Sequence, residues 1–214
     1  MKRTIFAWLA AGAVLSLGSP ASADQGSPTL RQIYEAGRCL VVTDRGMAVS
    51  LLQSLPMEEG DADLSQLPDR VARRCAPGLG NVASLHLRGA IAQALFFRDF
   101  RGFGEEPRRS APLVNLNIPA QSSPPGTGIT ELYRWADCVV RNDNSHAERL
   151  LSSAVGSRNE ATAIDGLRAF MSACAPAGQQ LSVRPSDLRS LVAQSAYASM
   201  YRYWTRQLAP VNDQ

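Results

Sequence analysis

Two stretches decide the fold: YEAGRCLVVTD at residues 34–44 and YRWADCVVRND at residues 133–143. An offset of 99 residues aligns them, and the same offset carries the Cys-Ala-Pro at 75–77 onto the Cys-Ala-Pro at 174–176. A match at a fixed offset is typical of one structural unit that is used twice. The sequence therefore predicts an internal duplication, with the two copies packed together.

Two residues are inserted in the second copy, and the match then continues through polar positions. Arg88 and Gln93 correspond to Arg189 and Gln194. We expect these four residues to face each other across a pseudo-twofold interface or to line a shared cleft that binds a ligand. The alternative is that they satisfy the backbone groups left free by the Ala-Pro turns, because arginine donors suit exposed carbonyl groups.

The four cysteines repeat the same spacing. Cys39 and Cys75 are 36 positions apart, and so are Cys138 and Cys174. An even number of cysteines in an exported chain predicts disulfides, and the repeat favours one bridge inside each copy. Neither pair has the C-x-x-C spacing of a zinc knuckle or a redox centre.

The first residues have the pattern of a secretory signal. Lys2 and Arg3 precede an apolar stretch of 13 residues, Ile5–Leu17, and Ala21-Ser22-Ala23 is a small-residue cleavage site. A membrane span needs about 20 apolar residues, so this stretch is too short for an anchor. We expect a signal peptide at 1–23, a periplasmic or secreted mature chain from Asp24, and no membrane anchor after cleavage.

The charge balance argues against a protein that binds nucleic acids or other polyanions. Of 22 Lys and Arg in the chain, Lys2 and Arg3 leave with the signal, so 20 arginines face 19 acidic residues. A net charge near +1 and the absence of long basic runs predict no nucleic-acid partner.

Both copies read as helical, and the expected fold class is all-α. The first helices are expected over Thr29–Val42 and Glu131–Arg141. Asp44 is expected to cap the helix 45–55, and Asn144 or Ser145 its counterpart through Ala154. Pro68 begins or kinks the third helix of the first copy, whereas Asp61 and Asp63 are expected to cap a helix. Strand alternation is too short to predict a sheet.

The fourth helices show the clearest apolar stripes. Leu87, Ile91 and Leu95 form one of them, and the matching stripe starts at Leu188 after a proline start signal at Pro185. We therefore assign helical repeats of about four helices to 24–100 and 131–214. The segment 101–130 holds five prolines and four glycines and is expected to be a linker.

Aromatic residues close the last helix. Tyr197, Tyr201 and Trp204 share one helical face, which favours a role in the core. Aromatics beside arginines also occur at partner and carbohydrate sites, so Tyr201 and Trp204 remain candidate ligand-binding residues.

The sequence contains no recognisable catalytic motif. His86 and His146 lack a helical histidine partner, and the chain has no G-x-S-x-G elbow and no Walker loop. His86 is expected to cap a helix or lie on the surface. No catalytic residue, metal ligand or cofactor is predicted.

With the pattern assembled, the second copy resembles a group of uncharacterised exported proteins from GC-rich Gram-negative bacteria. The residues that carry the resemblance are ADCVVR at 136–141, CAPAG at 174–178 and L-R-x-x-x-A-Q at 188–194. The resemblance implies export and a cysteine-paired helical unit, and it assigns no activity.

The leading functional hypothesis is a structural or protein-interaction module of the cell envelope, whose partner would be an envelope protein. The alternative is a small-ligand binder with a groove between the repeats. A hydrolase using His86 or His146 is the third hypothesis.

Overall fold

Eight helices make up most of the described chain. The structure, a computed structural model, describes residues 29–55, 61–64, 67–103, 129–175 and 183–208. The first half contains α1 (Leu30–Thr43), α2 (Arg45–Ser54), α3 (Asp69–Cys75) and α4 (Ser84–Asp99), and the second contains α5 (Ile129–Asn142), α6 (Asn144–Ser152), α7 (Arg158–Cys174) and α8 (Pro185–Leu208). The all-α prediction is confirmed. The expected signal peptide and all of the expected linker except its first three residues and Ile129 and Thr130 lie outside the described residues.

A small two-stranded sheet in the first half was not predicted. Strands β1 (Asp61–Asp63) and β2 (Asn81–Ala83) pair antiparallel, with Ala62 opposite Val82. The expectation that Asp61 and Asp63 cap a helix is therefore wrong. Their side chains flank the buried Ala62 in an exposed–buried–exposed pattern, and three residues are too few for periodicity to reveal a strand.

Aspartates start the second helix of each half. Asp44 Oδ1 accepts a hydrogen bond from the Met47 amide at 2.9 Å, as predicted. In the second half the cap is Asp143, whose Oδ1 accepts from the His146 amide at 3.1 Å. The prediction of Asn144 or Ser145 was wrong because the non-helical residue that precedes the first helical turn is the aspartate itself.

Each half closes its own disulfide, as the cysteine spacing predicts. Cys39 is bonded to Cys75 and Cys138 to Cys174, with Cα–Cα distances of 5.2 and 5.8 Å. These distances lie in the usual range for disulfides. The bridges tie α1 to α3 and α5 to α7, so each half is crosslinked internally and no sulfur joins the two halves.

The two halves share one hydrophobic core. Helix α4 packs most extensively on α8, while α1 packs on α4 and α5 packs on α8. The backbones approach closely where Gly89 of α4 meets Ser190 of α8, since a Cβ on Gly89 would lie 2.5 Å from the Ser190 Cα. Residues 89 and 190 occupy the same position in their halves at the offset of 101. The contact between the halves is thus built from corresponding parts of each.

Candidate functional site

The polar residues that match in the two halves bond to each other reciprocally. Arg88 Nε donates to Gln194 Oε1 at 2.8 Å, and Arg189 Nε donates to Gln93 Oε1 at 3.1 Å. Each arginine lies in the first turns of α4 or α8, and each glutamine lies further along the other of these two helices. The two bonds therefore link α4 and α8 in both directions.

The same arginines also satisfy the ends of nearby helices. Arg88 Nη1 donates to the carbonyl groups of Leu52 and Leu55 at the end of α2. Arg189 Nη2 donates to the carbonyls of Leu151 and Ser153 at the end of α6, at 3.1 and 2.7 Å. Helix ends leave carbonyl groups without partners, and the arginines supply donors there. The expectation that these residues serve the Ala-Pro turns was wrong, because the carbonyls they reach end α2 and α6.

Arg189 has no donor left for a ligand. Its side chain is 1% exposed, and all five N–H groups are in use once the bonds of Nη1 to Ser153 Oγ and Glu160 Oε1 are added. Glu160 is also buried and balances the charge of Arg189 at 2.8 Å. We call Arg189 and the residues bonded to it (Gln93, Leu151, Ser153 and Glu160) the Arg189 cluster. This cluster is part of the structural frame that joins the two halves.

Two buried tyrosines at corresponding positions contact the Arg–Gln pairs, Tyr34 beside Arg189 and Tyr133 beside Gln194. Tyr34 OH is bonded to Ser190 Oγ at 3.1 Å, and Arg189 lies over the Tyr34 ring at 5.1 Å. Tyr133 OH donates to Gln194 Oε1 at 2.7 Å. Burial raises the pKa of Tyr34 to about 12 and also raises the pKa of Tyr133. Both hydroxyls therefore stay neutral and serve as hydrogen-bonding groups.

A groove of about 460 Å³ lies between the two halves beside the Arg189 cluster. We call it the inter-half groove; its wall on one side is α1, its floor is α4, and the loop 153–155 with Arg189 closes the other side. Its lining comprises Arg31, Tyr34, Glu35, Arg38, Ala90, Gln93, Ala94, Phe97, Ser153, Ala154, Val155 and Arg189. Of the candidate ligand-binding residues, Arg189 and Gln93 line this groove, whereas Arg88, Gln194, Tyr201 and Trp204 are not part of it.

The C-terminal aromatics divide between core and surface. Tyr197 is buried, as a role in the core requires, but Tyr201 is 52% and Trp204 44% exposed. The prediction that all three share a core face is wrong for the last two, because the run of buried residues along α8 ends at Met200. Tyr201 packs its ring 6.1 Å from that of Tyr197, and Trp204 packs edge-on to Tyr203.

Both histidines are bonded to aspartates. His86 Nε2 lies 2.9 Å from Asp187 Oδ1, and this pair joins α4 to α8. The expectation that His86 caps a helix or lies on the surface was wrong, since the pair is mostly buried. His146 Nδ1 lies 2.5 Å from Asp143 Oδ2. Ser145 Oγ and Ser186 Oγ donate to Asp143 and Asp187 at 3.1 and 3.4 Å. These hydroxyls are bonded to the aspartates, and among the described residues no hydroxyl or thiol is bonded to either imidazole ring.

Within the described ranges, no group of three or more histidine, cysteine or acidic side chains is arranged to hold a metal ion. None of the described helices combines the length and the apolar character that a membrane span requires.

The chain matches no protein-family model, no curated protein and no solved structure.

Sequence reasoning missed three parts of the site. Nothing in the sequence marked Glu160 as the partner of Arg189. Its first-half counterpart at the offset of 99 is Asp61, which lies in β1 and not in a helix. Nothing in the sequence distinguishes Arg31 and Arg38 from other charged residues on the solvent side of a helix. The match of Tyr34 with Tyr133 was visible at the same offset and was the one available clue to the tyrosines.

Proposed function

We propose that the chain is an exported, non-catalytic binding protein that works in the periplasm or outside the cell. The observation that carries the proposal is the inter-half groove, whose volume lies within the usual range of about 300–1,000 Å³ for ligand sites. Its two sides come from different halves, and the Arg189 cluster fixes them in place. Such a preorganised cleft at the junction of two packed units is a common position for a ligand.

Export is supported by the two disulfides, which form and persist in oxidising compartments outside the cytoplasm. The sequence of residues 1–23 supports a cleaved signal. We also propose that the halves arose by duplication, since corresponding residues form reciprocal bonds across the interface.

A variant that fills the groove tests this function. Ala154 is exposed at the rim of the groove, so Ala154→Trp is expected to block it while leaving the core unchanged. Ala169 is also exposed, on α7, and does not line the groove, so Ala169→Trp is the matched control. Mature wild-type protein should gain thermal stability with a periplasmic small-molecule extract, because a ligand that binds only the folded state stabilises it.

The expected result is a shift in the melting temperature of the wild type and of Ala169→Trp that is lost in Ala154→Trp. No shift with any fraction of the extract, or a shift of the same size in Ala154→Trp, would contradict a binding function for this groove.

The exposed aromatics support a second candidate, a protein-interaction surface. Tyr201 and Trp204 are the large aromatic side chains most exposed among the described residues. Exposed aromatic residues often anchor a partner protein. If this surface is used, Trp204→Ser should abolish a specific crosslink to an envelope protein in living cells, whereas Ala154→Trp should leave that crosslink intact.

A further inference from the structure

The wall of the inter-half groove presents two arginines that are not committed to the frame. Arg31 and Arg38 are exposed on α1 and are separated by seven residues, or about 10 Å along the helix axis. Arg38 makes no hydrogen bond or ion pair with any described residue. Arg31 makes one long bond, from Nη2 to the Val155 carbonyl at 3.4 Å. Both guanidinium groups therefore retain donors that can reach a ligand.

The floor of the groove is apolar. Ala90, Ala94 and Phe97 lie along it on α4, and Val155 faces them from the opposite side. Three polar groups beside the floor are already bonded within the protein: Tyr34 OH to Ser190 Oγ, Gln93 Oε1 to Arg189, and the Arg189 guanidinium through all five of its N–H groups. The groove thus offers an apolar surface with positive charge along one edge.

A second groove of about 320 Å³ continues this pattern. It shares Arg38 and Ala94 with the first and adds Val41, Val42 and Arg98. Arg98 Nη1 donates to the Val41 carbonyl, and its guanidinium adds a positive charge to the lining of the second groove. Glu35 is the one acidic residue among the linings of these two grooves, against four arginines, of which only Arg189 is balanced by a described carboxylate.

We propose that the groove binds a small organic anion with an apolar body. The carboxylate or phosphate of this ligand is held by Arg31 and Arg38, whose planar guanidinium groups suit both anions. The apolar body lies over Ala90, Ala94 and Phe97 and is removed from water there. This inference rests on the proposed function and specifies the class of ligand.

Three probes with the same tail separate charge from apolar contact. Octanoate, octyl phosphate and the neutral octanamide are titrated calorimetrically into the mature, disulfide-bonded protein. We expect both anions to bind at least about tenfold more tightly than the amide at low ionic strength, since charge-assisted bonds are roughly twice as strong as neutral ones. Added salt should weaken the binding of both anions and leave the binding of the amide unchanged.

Variants on the exposed side of α1 test the position of the charge. Arg38→Gln should weaken octanoate binding by about fivefold, and Glu35→Gln should strengthen it by about twofold, because exposed charge pairs contribute little each. Arg74 is exposed on α3 and outside both linings, so Arg74→Gln makes the same charge change and should have no effect. Whichever of octanoate and octyl phosphate the protein binds more tightly identifies the anionic group that it prefers.

Three results overturn the inference. Equal affinity for octanoate and octanamide would show an apolar groove without anion selectivity, and the binding function would stand. Equal weakening by Arg38→Gln and Arg74→Gln would show that net charge acts from a distance. If no anionic probe binds, the inference also fails, and the proposed function fails with it only if no ligand sensitive to Ala154→Trp is found.

Discussion

At the scale of single residues, the two arginines at the interface have the same position but different surroundings. Arg189 is fully buried, makes five bonds and is balanced by Glu160. Arg88 is half-buried, makes three described bonds and has no carboxylate partner among the described residues. Buried charges depend on their partners more than exposed ones do. The two positions therefore give a matched comparison within one protein.

We expect Arg189→Met to lower the free energy of unfolding by about 3–5 kcal/mol, because it leaves Glu160 as a buried charge without a positively charged partner. Arg88→Met should cost about 1–3 kcal/mol, since it leaves neutral groups unbonded and solvent is near. Urea denaturation with the disulfides intact measures both. Equal losses for the two variants would contradict the assignment of Arg189 as the buried centre of the frame.

Tyr34 is expected to make the free energy of unfolding fall at alkaline pH. Its pKa is raised by burial to about 12 in the folded state, whereas the unfolded phenol ionises near 10. The neutral form is therefore favoured by folding, and this stability is complete below pH 10 and is lost as pH rises from 10 towards 12. Tyr34→Phe should show a shallower loss over that window in urea denaturation. An unchanged slope would mean that Tyr34 does not stay neutral in the fold.

A buried hydroxyl in α8 is a position where a substitution should stabilise the protein. Ser195 is fully buried and its Oγ has no hydrogen-bond partner in the described structure, while its counterpart in α4 at the offset of 101 is Ala94. An unsatisfied buried polar group is costly. We expect Ser195→Ala to raise the free energy of unfolding by about 1 kcal/mol. A loss of more than about 1 kcal/mol would reveal a bond that Ser195 makes in solution.

At the scale of secondary-structure elements, the crossing of α4 and α8 depends on one glycine. A Cβ at Gly89 would lie 2.5–2.8 Å from Ser190 atoms, closer than side chains tolerate. Gly89→Ala should therefore separate the helices and cost about 2 kcal/mol, despite the better helix propensity of alanine. Adding Ser190→Gly should recover part of this loss.

The control for this prediction is Gly46 in α2. Its nearest neighbour to a built Cβ is Asp44 Oδ1 at 3.5 Å, an ordinary contact. Gly46→Ala should be neutral or slightly stabilising in the same thermal or urea measurement. If both glycine substitutions have the same effect, the close approach of α4 and α8 is not what sets the cost.

The helices could be predicted from the sequence, and the groove could not. Leucines at helical spacing and a capping aspartate at 44 are local signals that need no knowledge of the rest of the chain. The inter-half groove places Arg31 beside Val155, which is 124 positions away. No local pattern encodes such a contact, because it depends on how α4 and α8 cross. The repeat gave a partial answer, since it picked out the Arg–Gln pairs but not which helix ends they reach.

At the scale of the whole molecule, the disulfides stabilise the halves separately and the core joins them. In the chain-entropy model each loop of this length contributes about 4 kcal/mol. The paired variant Cys138→Ala/Cys174→Ala should therefore lose about that amount in calorimetric or urea unfolding. Because the halves share one core, this loss should appear in both of them. A loss confined to the second half would show that the halves unfold independently.

Hydrogen exchange resolved by mass spectrometry tests the central claim most directly, namely that the two halves and the groove between them form one cooperative body. The slowest amides of α4 and α8 should exchange with the same opening free energy, and Gly89→Ala should lower both by the same amount. If α4 opens at a clearly lower free energy than α8, and Gly89→Ala affects only one of them, the halves are separate units and the shared groove has no rigid frame.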